Sequence, residues 1–228
     1  MAQRPIFLPK PEGRPFIAEI SLDFEWYPGF SATQAQKSIQ SLHSAATKQG
    51  LSPVLEISSK SPEALGVALS AFNLRLQLED GRTLPVECAF QGSKVFRNGG
   101  PYTDLYSKSS RDAKTDQRLR ASGDLIAFNL AGDDFSITPV TAFYDWLFLR
   151  ALQRNRVLAD QLLQYKAFSD IVFNQEKSVN CQARSAALFV ALTRNSGIDV
   201  EKAAEDRHYF LGLMTGKETR GPSQLPLL

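Results

Sequence analysis

Residues 69–96 read Leu69-Ser70-Ala71-Phe72-Asn73-Leu74-Arg75-Leu76-Gln77-Leu78-Glu79-Asp80-Gly81-Arg82-Thr83-Leu84-Pro85-Val86-Glu87-Cys88-Ala89-Phe90-Gln91-Gly92-Ser93-Lys94-Val95-Phe96. The hydrophobic period changes inside this stretch. Leu74, Leu76 and Leu78 alternate with Arg75, Gln77 and Glu79, the period of two of a strand. Asp80-Gly81 is a turn signal. Beyond Pro85, Glu87, Phe90, Gln91 and Lys94 fall at i, i+3, i+4 and i+7 and share one helical face. A strand that passes through a tight turn into a helix belongs to a mixed fold rather than to an all-α or all-β one.

That helical face carries a carboxylate, an amide and an ammonium, while the other side offers only Ala89, Val95 and Cys88 as a thin apolar stripe. Two explanations compete. Periodicity alone favours a solvated face, because burying unpaired charge is costly. The alternative is the wall of a cleft, with Glu87 as an acid or base and Lys94 reaching a phosphate.

Working outward, Met1–Pro15 holds four prolines and is expected as an extended arm. Ala18, Ile20, Leu22, Phe24 and Trp26 alternate with polar residues, which predicts a strand. Ser31 is placed to cap a helix running to about Gln49, with Ile39, Leu42 and Ala46 on its buried stripe and Gly50 ending it. Val54–Ser58 reads as a strand, Asn98–Tyr102 as a loop, and Ser109–Arg120 as a region with a short surface helix. A strand is expected at Leu125–Leu130 and a turn at Gly132-Asp133-Asp134. Helices are expected at Thr141–Gln153, Val157–Tyr165 and Asn180–Asn195. After Gly197 periodicity fades, and order is expected to fade with it. The fold class that follows is α+β: one domain of several helices around a small, mostly antiparallel sheet.

Composition limits the function. The chain has 228 residues, 43% hydrophobic and 22% charged, enough for a core without staples. A net charge of +2 does not suit a protein that coats nucleic acid, so any such contact needs a local basic patch. No apolar run is long enough to span a bilayer, and no membrane partner is expected. The N-terminus lacks the apolar segment of a secretory signal. Cys88 and Cys181, far apart in segments that read as helices, suit a reduced, cytoplasmic protein. Two histidines and two cysteines without paired spacing give no reason to expect a metal, and no cofactor is expected.

The pieces Leu69–Phe72, Asp80–Thr83 and Val86–Phe96 together resemble the signature of the NADAR, or YbiA-like, family. That signature is a Ser-Asn-Phe element, a strand, an Asp-Gly turn, then Glu-x-x-Phe/Tyr-Gln-x-x-Lys-Phe opening a helix. Ile57-Ser58-Ser59-Lys60 resembles the family's Ser-rich strand end with its basic residue. Asp170, and Asn180 at a helix start, resemble its later Asp and Asn elements. The pattern departs at Ala71, where the family has Asn, and by one extra residue before Phe96. The family's cleft Trp has no aligned counterpart, and Trp146 reads as core.

The resemblance covers roughly residues 54–196. It implies an N-terminal extension over 1–53 packed on a NADAR-like catalytic domain, with a tail from 197 to 228. It further implies an N-glycosidase that removes ADP-ribose from modified guanine in DNA, with single strands favoured and ADP-ribose as product. Such a protein serves as antitoxin to a DarT-type ADP-ribosyltransferase, and so in reversal of DNA ADP-ribosylation. A riboflavin-intermediate N-glycosidase and a non-catalytic ADP-ribose-binding module are the alternatives. Glu87 and, after it, Asp170 are the implied catalytic carboxylates. Lys60, Lys94 and Arg184 are the implied pyrophosphate contacts. Ser70, Phe72 and Gln91 complete the implied pocket. Phe90 and Tyr102 are candidates to stack on a base, with Phe90 equally at home in a core. Asn180 is either a substrate contact or a helix cap.

Overall fold

The computed structural model describes residues 2–29, 31–174 and 178–216. Its central sheet has the order β2-β1-β9-β3, with β1 at Ala2–Pro9, β2 at Ile17–Phe24, β3 at Val54–Glu56 and β9 at Ala167–Ser169. The first two form an antiparallel hairpin in register from Ala2↔Phe24 to Pro9↔Ile17. The expected arm is therefore a strand inside the sheet. Its prolines are tolerated because only Ile6 and Phe7 also pair with β9, and Pro5 and Pro9 lie outside that segment. Strand β9, which periodicity did not reveal, is three residues long and parallel to β3.

Alternation along these strands feeds two cores. Ile6, Leu22, Phe24, Val54 and Ala167 pack under helix α1 (Ala32–Lys48), meeting Ile39, Leu42 and Ala46. Ser31 caps α1 by accepting from Gln34 N, as its position predicts. Phe7, Leu55 and Phe168 point the other way, into the larger core. There they meet α6 (Ala142–Arg154) and α8 (Gln182–Arg194).

The Leu74–Phe96 stretch folds as its periods indicate, with one exception. Strands β4 (Arg75–Gln77) and β5 (Thr83–Pro85) form a hairpin. Leu78 N bonds Arg82 O at 2.8 Å across the turn, and Gly81 sits at φ +84°. Helix α3 (Val86–Gly92) follows at once and is buried at every residue. It stops two residues before Lys94, which opens strand β6 (Lys94–Phe96). This strand pairs with β7 (Leu125–Leu130), which turns into β8 (Asp133–Ser136).

The remaining α-helices among the described residues are α2 (Ala64–Ala68), α4 (Ser110–Thr115), α5 (Arg118–Ala121), α7 (Arg156–Leu162), α9 (Val200–Glu205) and α10 (Arg207–Thr215). The last two correct the expectation of fading order after Gly197. Ala203, Ala204 and Phe210 are buried in the main core, and Asp199 and Asp206 cap the two helices. They are too short for a clear period, so their signal is in caps rather than in stripes. Residues 217–228 of the expected tail lie outside the described residues. The class is α+β; among the described residues there are three small sheets in place of one, and every strand pairing is antiparallel save β3 with β9. Both cysteines are free and buried, and Cys181 precedes α8 as its cap rather than lying within it. No helix among the described residues is long and apolar enough to cross a membrane.

Candidate active site

A cleft of about 650 Å³ opens between α3, the β7–β8 side and the segment after β9. Glu87, on α3, is buried to 5% exposure although it bears a carboxylate. Gln91, one turn on, donates from Nε2 to Glu87 Oε1 at 2.8 Å. Lys94 donates from Nζ to Gln91 Oε1 at 2.7 Å and lies 4.6 Å over the Phe90 ring. The three polar groups so form one chain across the helix end, even though Lys94 belongs to the strand. The solvated-face explanation fails here, because the opposite face is buried too and α3 has no free side. Burial pushes the Lys94 ammonium down to about 8, opposed by the Glu87 charge and aided by Lys114.

Asp170 enters from just beyond β9 and is also buried. Its carboxyl is raised, first by burial and then by the charge of Glu56, while a bond from the Gln182 side chain opposes the shift. Gln182 in turn accepts from Ala71 N at 2.7 Å, so the first residue of α8 ties Asp170 to the Ser70–Phe72 segment. At Ala71 the backbone thus makes a polar contact that its side chain does not.

Behind Asp170 lies a network that sequence reasoning missed. Glu56, at 0% exposure on β3, accepts from Ser58 Oγ at 2.7 Å, Ser169 Oγ at 2.5 Å and Ile171 N at 2.8 Å. It thus grips the residues on both sides of Asp170. Ser169 Oγ also meets His43 Nε2 at 2.8 Å. Because the single hydroxyl proton of Ser169 goes to Glu56, Nε2 of His43 carries the proton of that contact. Glu56 and Ser169 are in-register neighbours, both on the α1 side of the sheet with Val54 and Ala167. Burial raises the Glu56 carboxyl against its three hydrogen bonds and lowers His43 to about 4. The only hint in the sequence is a Glu ending an apolar strand, and such a residue reads as solvent-facing.

Of the expected site residues, Glu87, Asp170, Ser70, Phe72, Phe90, Gln91, Lys94 and Asn180 all line this cleft. Asn180 lies one position before the α8 cap and gives it no side-chain bond. Its Oδ1 is buried without a hydrogen-bond partner among the described residues, which leaves it an acceptor available to a ligand. Three expected residues are elsewhere. Arg184 Nη1 bonds the buried Asp145 Oδ2 at 2.5 Å and Thr141 Oγ1 at 3.0 Å, a structural ion pair outside the cleft. The Tyr102 hydroxyl bonds Ser122, and its ring lies 4.4 Å from the Arg118 guanidinium carbon. Lys60 is displaced by Ser59, which lines the cleft in its place.

Lys114 and Tyr144 are further cleft residues that the sequence did not mark. Lys114 comes from α4 and lies 5.3 Å over Phe72. Tyr144 packs edge-on against Phe90 at 5.1 Å. It precedes Trp146 by two positions on α6, about 200° around a helix of 3.6 residues per turn, so Trp146 faces the core as expected.

Two buried carboxylates from separate elements, with ammonium groups beside them, share one small-molecule-sized cleft on an α+β frame. The chain belongs to the family of DarT1-associated NADAR antitoxins, whose model matches residues 2–224. No curated protein matches it.

Proposed function

We propose that the cleft hydrolyses the N-glycosidic bond between ADP-ribose and the amino group of guanine in DNA, and that the antitoxin role operates through this reaction. The observation that carries it is the convergence of Glu87 and Asp170 on one cleft, with Lys94 and Lys114 alongside. In this reaction water adds to the anomeric carbon, the carbon–nitrogen bond breaks, and a proton goes to the departing amine. Glu87, oriented by Gln91, takes the proton from water and stabilises the oxocarbenium-like state. Asp170, whose carboxyl is raised, holds a proton to deliver to the leaving base. Lys94 and Lys114 suit the pyrophosphate, and the Asn180 acceptor suits a ribose hydroxyl. Ile137, Val140, Val172 and Val179 are exposed apolar side chains at the cleft mouth, a surface suited to a planar base.

The test is release of ADP-ribose from single-stranded DNA carrying ADP-ribosylated guanine. Glu87→Gln keeps the shape and removes the base, so it should lower kcat by about 10²-fold or more with an unchanged melting temperature. A folded Glu87→Gln protein with full activity would overturn the assignment.

A further inference from the structure

A second cavity of about 560 Å³ adjoins the cleft and shares Phe72 with it. Its lining contains the cations Arg75, Arg82 and Lys108, the hydroxyls of Thr83 and Ser107, and no carboxylate. Arg82 is paired with Asp80 at 2.6 Å and rests 5.8 Å from the Tyr106 ring. Neither Arg75 nor Lys108 is ion-paired among the described residues, and both are exposed. The carboxylates nearest Lys108 in charge interaction, Asp104 and Asp116, are both held by the Arg118 guanidinium, and Asp112 accepts from Ser109 Oγ at 2.7 Å. On the far side of Phe72, Lys114 continues the row of cations into the cleft. A chain whose net charge is only +2 has therefore gathered positive charge in one groove leading to its buried carboxylates.

We propose that this second cavity binds the phosphodiester backbone of single-stranded DNA beside the modified nucleotide, a subsite outside the hydrolytic cleft. The inference rests on the function proposed above for its choice of strand. A base that reaches Glu87 and Asp170 must leave any duplex stack, so its flanking backbone has to cross the protein surface. A cationic groove with hydroxyl donors and an aromatic ring is what such a backbone requires, and Phe72, common to both linings, joins it to the cleft.

The experiment measures fluorescence anisotropy of an unmodified DNA strand of about 12 nucleotides with the full chain, in roughly 50–200 mM salt. The double variant Arg75→Glu/Lys108→Glu should bind about tenfold or more weakly. Its plot of log affinity against log salt should be shallower by about 1.4, two contacts at roughly 0.7 each on a single strand. Affinity for free ADP-ribose should stay the same in both proteins, which shows the cleft intact. The milder Arg75→Gln/Lys108→Gln pair serves if the first fails to fold. Unchanged strand affinity and salt slope in a folded variant would overturn the proposal, as would tighter binding of an RNA strand of the same sequence. Strand binding that depends on Arg75 and Lys108, in a protein that hydrolyses nothing, would sustain this subsite and sink the hydrolase proposal instead.

Discussion

Lys94 is held on one side by Gln91 and on the other by the Phe90 ring, in surroundings that lower its pKa to about 8. It is protonated below that value and loses its charge as pH rises through it. An anionic ligand gains from the charged form, so affinity for ADP-ribose should fall as pH rises past about 8. Lys94→Gln should bind ADP-ribose roughly tenfold more weakly at pH 7, the size of one charge-assisted hydrogen bond, and should lack its share of that pH dependence. Calorimetric titration at several pH values checks both statements. The motif spacing put Lys94 on the helix, whereas it stands on strand β6. Gly92 and Ser93 end the helix early, yet the next residue still returns to the same cleft wall. Arg184 shows the opposite case. It has the right chemistry for a pyrophosphate, but the buried Asp145 carboxylate on α6 claims its guanidinium. No pattern local to α8 reveals a partner on another helix.

At the scale of elements, the short helix α2 decides how closely the β3 end can approach. A Cβ on Gly66 would lie 1.9 Å from Glu56 O and 2.3 Å from Ser61 Oγ, and a backbone oxygen in a strand cannot move aside cheaply. Gly66→Ala should therefore cost stability at or above the upper end of the roughly 1–3 kcal/mol typical of overpacking. Urea denaturation measures this, and a loss under about 0.5 kcal/mol would show that α2 shifts freely. The same change should reduce activity, because Glu56 grips both neighbours of Asp170. Segments with a sustained period, such as α1 and the alternating Leu74–Leu78 run, were legible from residues alone. Strand β9 was not: three residues carry no period, and its place comes from pairing with β1 and β3.

Across the whole molecule, His43 of α1 joins the N-terminal hairpin and helix to the β3–β9 pair behind the site. Its pKa is about 4 in the fold, against an ordinary 6.5. Between those values the unfolded chain holds more protons than the folded one, so stability should drop as pH falls from about 6.5 to about 4. The full effect is bounded at about 3 kcal/mol, from 1.36 kcal/mol per pKa unit. His43→Asn should flatten that acid-side slope in melting temperature measured across the window. An unchanged slope would show that other groups govern acid stability.

The residues alone determined the mixed class, the Asp80-Gly81 turn, and the α1 cap and stripe, whereas Glu87 became the centre of interest through the family resemblance, since its period alone favoured a solvated face. These features are local, because side-chain period and turn chemistry act over a few residues. The tertiary structure alone decided that α3 is buried on every side, that Asp170 and Asn180 share a cleft with Glu87, and that Glu56 with Ser169 and His43 stands behind Asp170. It also decided that Arg184 and Tyr102 lie elsewhere. The physical reason is that burial and partnership are set by which distant segments pack together. A carboxylate in a sequence looks the same whether water or a buried serine will receive it.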